Sequence, residues 1–125
     1  MSISVIIPYY NESETILTTL VSLACQTYKP DEVLLMDSGS SDKTSVLIDQ
    51  WIMNSGMTNY KNIYSGKMSP STSINKGIKA SKNKFIAYVD CGLEIPPNWL
   101  MSNYKLIEED GNDMVSNLVY TAGKN

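Results

Sequence analysis

The run Ile3-Ser4-Val5-Ile6-Ile7 is almost wholly apolar and stops on Pro8. An apolar run of this length, bounded by a proline, reads as a strand buried on both faces, the kind found in parallel sheets. The fixed φ of proline is then expected to turn the chain out at the strand's carboxyl end. Similar runs recur at residues 32–36 and 85–89, more weakly at 62–65, and last at 113–119. Between them the apolar residues repeat at helical spacing. Residues 14–27 put Ile16, Leu20, Leu23 and Ala24 on one face; residues 42–54 do the same with Leu47, Ile48, Trp51 and Ile52. Residues 71–81 and 97–109 are expected to be helical too, the latter with Pro97 in its first turn. Tyr28-Lys29-Pro30-Asp31, Ser55-Gly56 and Gly111-Asn112 mark turns. Strands alternating with helices predict an α/β fold: a mainly parallel, Rossmann-like sheet with helices on both faces, as one domain over residues 1–125.

Composition narrows the chemistry. The chain has no histidine, which removes Ser-His-Asp and Cys-His triads and every His-ligated metal site. A net charge of -3 and the lack of any Lys/Arg cluster argue against a nucleic-acid surface. No apolar stretch reaches the length of a membrane span, and no secretory leader pattern is present. Cys25 and Cys91 form neither a Cys-x-x-Cys pair nor a disulfide framework. A reduced, cytoplasmic setting is expected, free or peripheral to the inner face of a membrane.

In open α/β sheets, ligands bind outside the carboxyl ends of the strands. Three segments of this sequence sit there. After the first strand come Pro8-Tyr9-Tyr10-Asn11-Glu12-Ser13, whose rings, amide and carboxylate could hold a base and a ribose. The plainer alternative is that Asn11 or Ser13 caps the next helix. After the second strand come Asp37-Ser38-Gly39-Ser40-Ser41-Asp42, a small polar turn leading into a helix N-terminus and offering free amides beside a carboxylate. It is neither a Rossmann glycine fingerprint nor a Walker loop, and a serine-rich cap would look similar. After the fourth strand come Asp90-Cys91-Gly92-Leu93-Glu94. Asp90 could hold a divalent cation that bridges phosphate oxygens, and Gly92 would let a ligand approach the backbone. The alternative makes Asp90 a turn cap and Cys91 a small buried residue. Asn75 and Lys76 could reach phosphates from a helix, or could belong to an exposed polar face.

In order and spacing these pieces resemble family 2 glycosyltransferases of the GT-A fold. The family pattern runs Pro-x-Tyr-Asn-Glu, Ser-Leu-x-x-Gln-Thr, Asp-x-Gly-Ser-x-Asp, Asn-x-Gly-Ile, Asp-x-Asp and Pro-x-Trp-Leu. Here the matching segments are Pro8-Tyr9-Tyr10-Asn11-Glu12, Ser22-Leu23-Ala24-Cys25-Gln26-Thr27, Asp37-Ser38-Gly39-Ser40-Ser41-Asp42, Asn75-Lys76-Gly77-Ile78, Asp90-Cys91-Gly92 and Pro97-Asn98-Trp99-Leu100. The resemblance implies transfer of a sugar from a nucleoside-diphosphate sugar to a glycan, lipid or protein acceptor, with inversion. It implies that Pro8, Tyr10 and Glu12 hold base and ribose, that Asp37 and its turn complete the base pocket, and that Asp90 meets Mn²⁺ or Mg²⁺ and the diphosphate. The full set of candidate donor-binding residues is Pro8, Tyr9, Tyr10, Asn11, Glu12, Asp37, Ser38, Ser40, Asn75, Lys76, Asp90, Cys91 and Gly92.

Three positions depart from the pattern. Ser38 stands where many members have a second Asp that reads the base, Gly92 replaces the last Asp of Asp-x-Asp, and Ile74 replaces a basic residue. Length is a fourth departure. Residues 1–125 are expected to be the amino-terminal, donor-binding half, with the acceptor half and its general base absent. A sheet cut there would leave an edge that favours a homo-oligomer. Two competing functions stay open: an inert nucleotide-binding or assembly module on the same fold, and a nucleotidyltransferase. The second would want a glycine-rich, basic loop where Pro8-Tyr9-Tyr10-Asn11-Glu12-Ser13 stands.

Overall fold

The computed structural model describes residues 2–110 and 120–121. Four strands form one parallel sheet: β1 (Ile3–Tyr9), β2 (Glu32–Asp37), β3 (Tyr60–Tyr64) and β4 (Phe85–Tyr88), in the order β3-β2-β1-β4. Every residue of β1 and β2 is buried, as expected for central strands covered on both faces. Three helices connect them, α1 (Ile16–Ala24), α2 (Thr44–Ser55) and α3 (Pro70–Ala80), and a fourth, α4 (Trp99–Asp110), follows β4. A separate antiparallel pair joins β5 (Leu93–Glu94) to β6 (Tyr120–Thr121). Among the described residues no helix is long and apolar enough to cross a membrane.

The pleat divides the core. Val5, Ile7, Val33 and Leu35 face α1, α2 and α4, and join Ile16, Leu20, Leu23, Ile48 and Leu100 in the larger cluster. Ile6, Leu34 and Met36 face the other way, under α3. Helices therefore cover both faces, as the alternation of elements predicts.

The boundaries differ from the sequence reading where tertiary contacts override local pattern. β1 runs through Pro8 to Tyr9 and does not stop at Ile7. Its last tie to the β4 side is Val89 N–H to the Ile6 carbonyl, so the N–H that Pro8 lacks falls beyond that ladder. β3 begins at Tyr60, whose ring packs 5.2 Å from that of Trp51. α1 ends at Ala24, and the Thr27 N–H that would extend it donates instead to the Pro97 carbonyl at 2.7 Å, while the Gln26 side chain donates to the Pro96 carbonyl at 2.7 Å and accepts from Leu100 N–H at 3.1 Å. Pro97 precedes α4 and is not in its first turn. α2 ends as expected, on Gly56 in the left-handed conformation. The short strand β5 falls where a loop was expected. The expected turn at Gly111-Asn112 and strand at 113–119 lie outside the described residues.

α3 approaches the sheet at Gly77. A Cβ there would sit 2.8 Å from Cγ2 of the buried Ile6. In an exposed helix, Gly→Ala gains about 1 kcal/mol. Here we expect Gly77→Ala to destabilise by about 1–3 kcal/mol, the usual cost of overpacking a filled core. A lower midpoint in urea denaturation is the expected result; a higher one would show that α3 does not pack this closely.

Candidate functional site

Parallel register brings the strand ends level. Tyr9 pairs with Asp37, and Asp37 with Tyr64, while β4 pairs with β1 up to Ile6 and Tyr88. The segments that follow all emerge at one edge, spread over three strand spacings, or about 14 Å.

The first and second segments are tied together by Asn11. Its φ of 50° lies in the left-handed region, which asparagine tolerates better than most residues. That conformation aims its amide at the second turn. Asn11 Oδ1 accepts from Ser41 N–H at 2.8 Å and Asp42 N–H at 3.2 Å, and its backbone N–H donates to Ser40 Oγ at 3.0 Å. Beside it, Glu12 N–H donates to Thr44 Oγ1 at 2.9 Å. Asn11 therefore does not cap α1, the next helix; the amides it holds belong to the turn before α2.

The second turn is closed by Asp37. Its buried Oδ1 accepts from Gly39 N–H at 3.1 Å and Ser40 N–H at 2.8 Å. Ser38 points the other way, into a buried chain of hydroxyls. The Asp37 carbonyl can only accept, so Ser65 donates to it at 2.7 Å. Ser73 must then donate to Ser65 at 2.9 Å, and Ser38 to Ser73 at 2.7 Å. This chain fixes α3 against the ends of β2 and β3.

The third segment meets the first at Glu12. A Cβ on Gly92 would lie 3.6 Å from Glu12 Oε2 and 3.4 Å from Thr15 Oγ1. Thr15 donates to that same Glu12 oxygen at 2.8 Å. Gly92 N–H donates to Thr19 Oγ1 at 3.0 Å, so this segment lies along the start of α1. Asp90 is exposed at the cleft's end and accepts from the Tyr88 hydroxyl. Burial, reinforced by the Glu12 charge, pushes the Cys91 thiol up to about 12, so it stays protonated and inert at neutral pH.

The structure thus gathers Tyr10, Asn11, Glu12, Asp37, Ser40, Asp90, Cys91 and Gly92 at one edge. Tyr10 is 56% exposed there. Tyr9 is not available to a ligand: two-residue alternation turns its ring into the core, where the hydroxyl donates to Asn62 Oδ1 at 2.7 Å. Pro8 is buried within β1, and Ser38 is engaged internally. Lys76 closes the end of β3 by donating to the Ser65 carbonyl at 3.1 Å. Among the described residues no hydrogen bond joins Asn75, exposed on α3, to the three segments. Sequence reasoning missed Thr15, Thr19 and Thr44, which stitch the loops to the helices. It also missed Lys67, which lies across Gly39.

No group of three or more acidic, Cys or His side chains gathers for a metal among the described residues. Asp90 presents an exposed carboxylate at the β4 end, with Glu12 near Gly92. Such a hard oxygen donor suits a cation held by one or two carboxylates and completed by phosphate oxygens. A second hollow of about 840 Å³ lies apart, between α1 and residues 94–97, lined by Leu17, Val21, Cys25, Ile95, Pro96 and Pro97 among others.

Known proteins share this fold. The chain is 26% identical over 113 residues to glycosyltransferase GlyG of Streptococcus pneumoniae, covering 90% of this chain and 37% of that protein. It is 30% identical to S. aureus TarS 1-349 in complex with UDP-GlcNAc, with a TM-score of 0.72, covering 90% of this chain and 33% of that one. A mannosyltransferase of Pyrobaculum calidifontis in complex with GDP-Man and Mn²⁺ shares the fold at a TM-score of 0.76 and 22% identity, covering 85% of this chain and 32% of that one. The chain thus spans about a third of the length of these relatives. The fold is the GT-A type. The sequence model of glycosyl transferase family 2 matches residues 4–125, and the chain belongs to that family.

Proposed function

We propose that this chain binds a nucleoside-diphosphate sugar across the carboxyl edge of its sheet, and that the protein is an inverting glycosyltransferase. The observation that carries this is that the first segment meets both others: Asn11 bonds the amides of the second turn, and the Glu12 carboxylate lies beside Gly92. Together they make three separate loops one surface. The strand order sets a direction along it. Base and ribose lie at the β2 and β1 ends, by Asp37, Ser40 and Tyr10, and the diphosphate lies at the β4 end, by Asp90. The structure of TarS with UDP-GlcNAc supports a nucleotide sugar as the ligand class.

In the reaction the acceptor oxygen attacks the anomeric carbon. The bond from that carbon to the diphosphate oxygen breaks, and the electron pair leaves with the nucleoside diphosphate. The acceptor's proton passes to a base expected from the length of the relatives that this chain does not span. Asp90 would hold Mn²⁺ or Mg²⁺ between its carboxylate and the phosphates. When bound, such a cation neutralises charge on the departing diphosphate. The residues of this chain position the donor, whose diphosphate Glu12 and Asp90 would repel were no cation held there.

Calorimetry with UDP and GDP, with and without Mn²⁺, tests the assignment. We expect affinity on the order of 1 mM, about -4 kcal/mol, strengthened by Mn²⁺. Asp90→Asn should remove most of the metal dependence, and Glu12→Gln should weaken nucleoside binding with or without metal. Metal-dependent binding that survives Asp90→Asn would overturn the role of Asp90.

The Asn11 tie has its own test. Asn11→Ala loses both accepted amides and places a β-carbon-bearing residue without a compensating side-chain bond at φ 50°. It should weaken nucleotide binding by about tenfold, the worth of roughly one lost hydrogen-bonded anchor. Asn11→Asp keeps the accepting oxygen and should stay within about twofold of the native chain. Equal binding by the Ala variant would show that the cleft does not depend on this tie.

A further inference from the structure

The segment between β3 and α3 crosses the second turn. A Cβ on Gly39 would meet Lys67 Cγ at 2.6 Å and Lys67 Cα at 3.2 Å, so the lysine stem lies on the turn's backbone. The segment is held on both sides. Ser65 is bonded to the Asp37 carbonyl through its N–H at 2.8 Å and its hydroxyl at 2.7 Å. Ser69 caps α3 through Thr72 N–H. Gly66, at φ 94°, makes the sharp bend between them. Lys67 is therefore a fixed feature of the cleft wall, with its head exposed.

Several other polar groups of the turn are engaged within the protein. Asp37 Oδ1 holds two amides, Ser38 bonds Ser73, Ser40 Oγ accepts from Asn11, and Lys76 donates to Ser65. Among the described residues, no hydrogen bond or ion pair engages the ammonium of Lys67. These 125 residues contain no arginine, so a cationic side chain that they offer a ligand is a lysine. Lys67 stands at β2, two strand spacings, or about 10 Å, from β4 and Asp90. That is the nucleoside end of the surface, not the diphosphate end.

We propose that Lys67 is a specificity residue for the donor's base: its ammonium donates to a carbonyl oxygen on the base edge. This rests on the donor-site reading above. It favours bases that present a carbonyl there, such as uracil or guanine, over adenine, whose exocyclic amino group would meet the ammonium donor to donor. The stem's packing on Gly39 holds the side chain as far as Cγ, so only its outer torsions remain to be ordered when it reads a base.

The test is NMR titration of the full 125-residue chain with uridine, UDP and ADP, for the native protein, Lys67→Met and Lys67→Arg. Methionine keeps the stem on Gly39 and removes the donors. Lys67→Met should weaken uridine and UDP by the same factor, about tenfold, as for one hydrogen bond to a charged group. It should leave the gain from Mn²⁺ intact and reduce the preference for UDP over ADP. Lys67→Arg should retain most of that preference. An unchanged melting temperature for Lys67→Met would confirm that the stem still packs. Weakened UDP with unchanged uridine would place Lys67 at the phosphates and overturn the proposal, as would unchanged binding of both. If the native chain bound none of these ligands, the donor-site reading itself would fall, and this inference with it. If it bound UDP through Asp90 and Mn²⁺ while Lys67→Met were indifferent, only the role of Lys67 would fall.

Discussion

Parallel pairing of β1 on both sides is the constraint from which the rest of the structure follows. β1 is paired with β2 from Ser4 to Tyr9 and with β4 from Ile3 to Ile6. Parallel neighbours need crossovers, so helices must cover both faces and the central strands must be apolar throughout. They also send every strand's carboxyl end to the same edge. The opposite edge is closed by a small polar latch, in which buried Glu32 accepts from the Ser4 hydroxyl at 2.8 Å and from Lys82 N–H at 2.9 Å. One edge is thus sealed by the protein's own groups, and the other carries exposed Tyr10, Asp90 and Lys67.

Once the strands have set the edge, side-chain hydrogen bonds decide what faces a ligand. Asp37, Ser38 and Asn11 all stand in the cleft's sequence motifs, yet their polar atoms mainly hold backbone or neighbouring hydroxyls. They fix the shape of the surface. Tyr10, Asp90 and Lys67 carry exposed groups on it. Glycine supplies the remaining freedom at two points: Gly39, at φ 96°, under the Lys67 stem, and Gly92, at φ 94°, against Glu12 and Thr15. At Gly39 a side chain would collide with the Lys67 stem, and at Gly92 the positive φ itself disfavours any other residue.

Much of this was legible in the sequence, because burial on both faces leaves a continuous apolar run. That signal identified β1, β2 and β4, and with them the positions of Asp37 and Asp90. It failed at strand ends, where one residue of error reverses the side-chain direction. Reading β1 as ending at Ile7 put Tyr9 in the cleft, whereas two further paired residues turn its ring into the core. Ser38 was misplaced for the same reason. Its partner Ser73 comes from α3, and nothing local signals a contact thirty-five residues away. Lys67 left no mark at all, since a lysine in a loop is ordinary and only the close approach to Gly39 makes it notable. The ties made by Asn11 were half visible: its capping chemistry could be read, but not which amides it would cap.

The central claim is that three loops, brought level by parallel pairing, form one nucleotide surface. Amide chemical-shift mapping of the 125-residue chain with UDP and Mn²⁺ tests it most directly. The account predicts concentrated shifts at Tyr10, Gly39, Ser40, Lys67, Cys91 and Gly92, and none at Ser4, Glu32 and Lys82 on the opposite edge. Shifts gathered instead along α1 and Ile95, in the hollow apart from the strand ends, would contradict it.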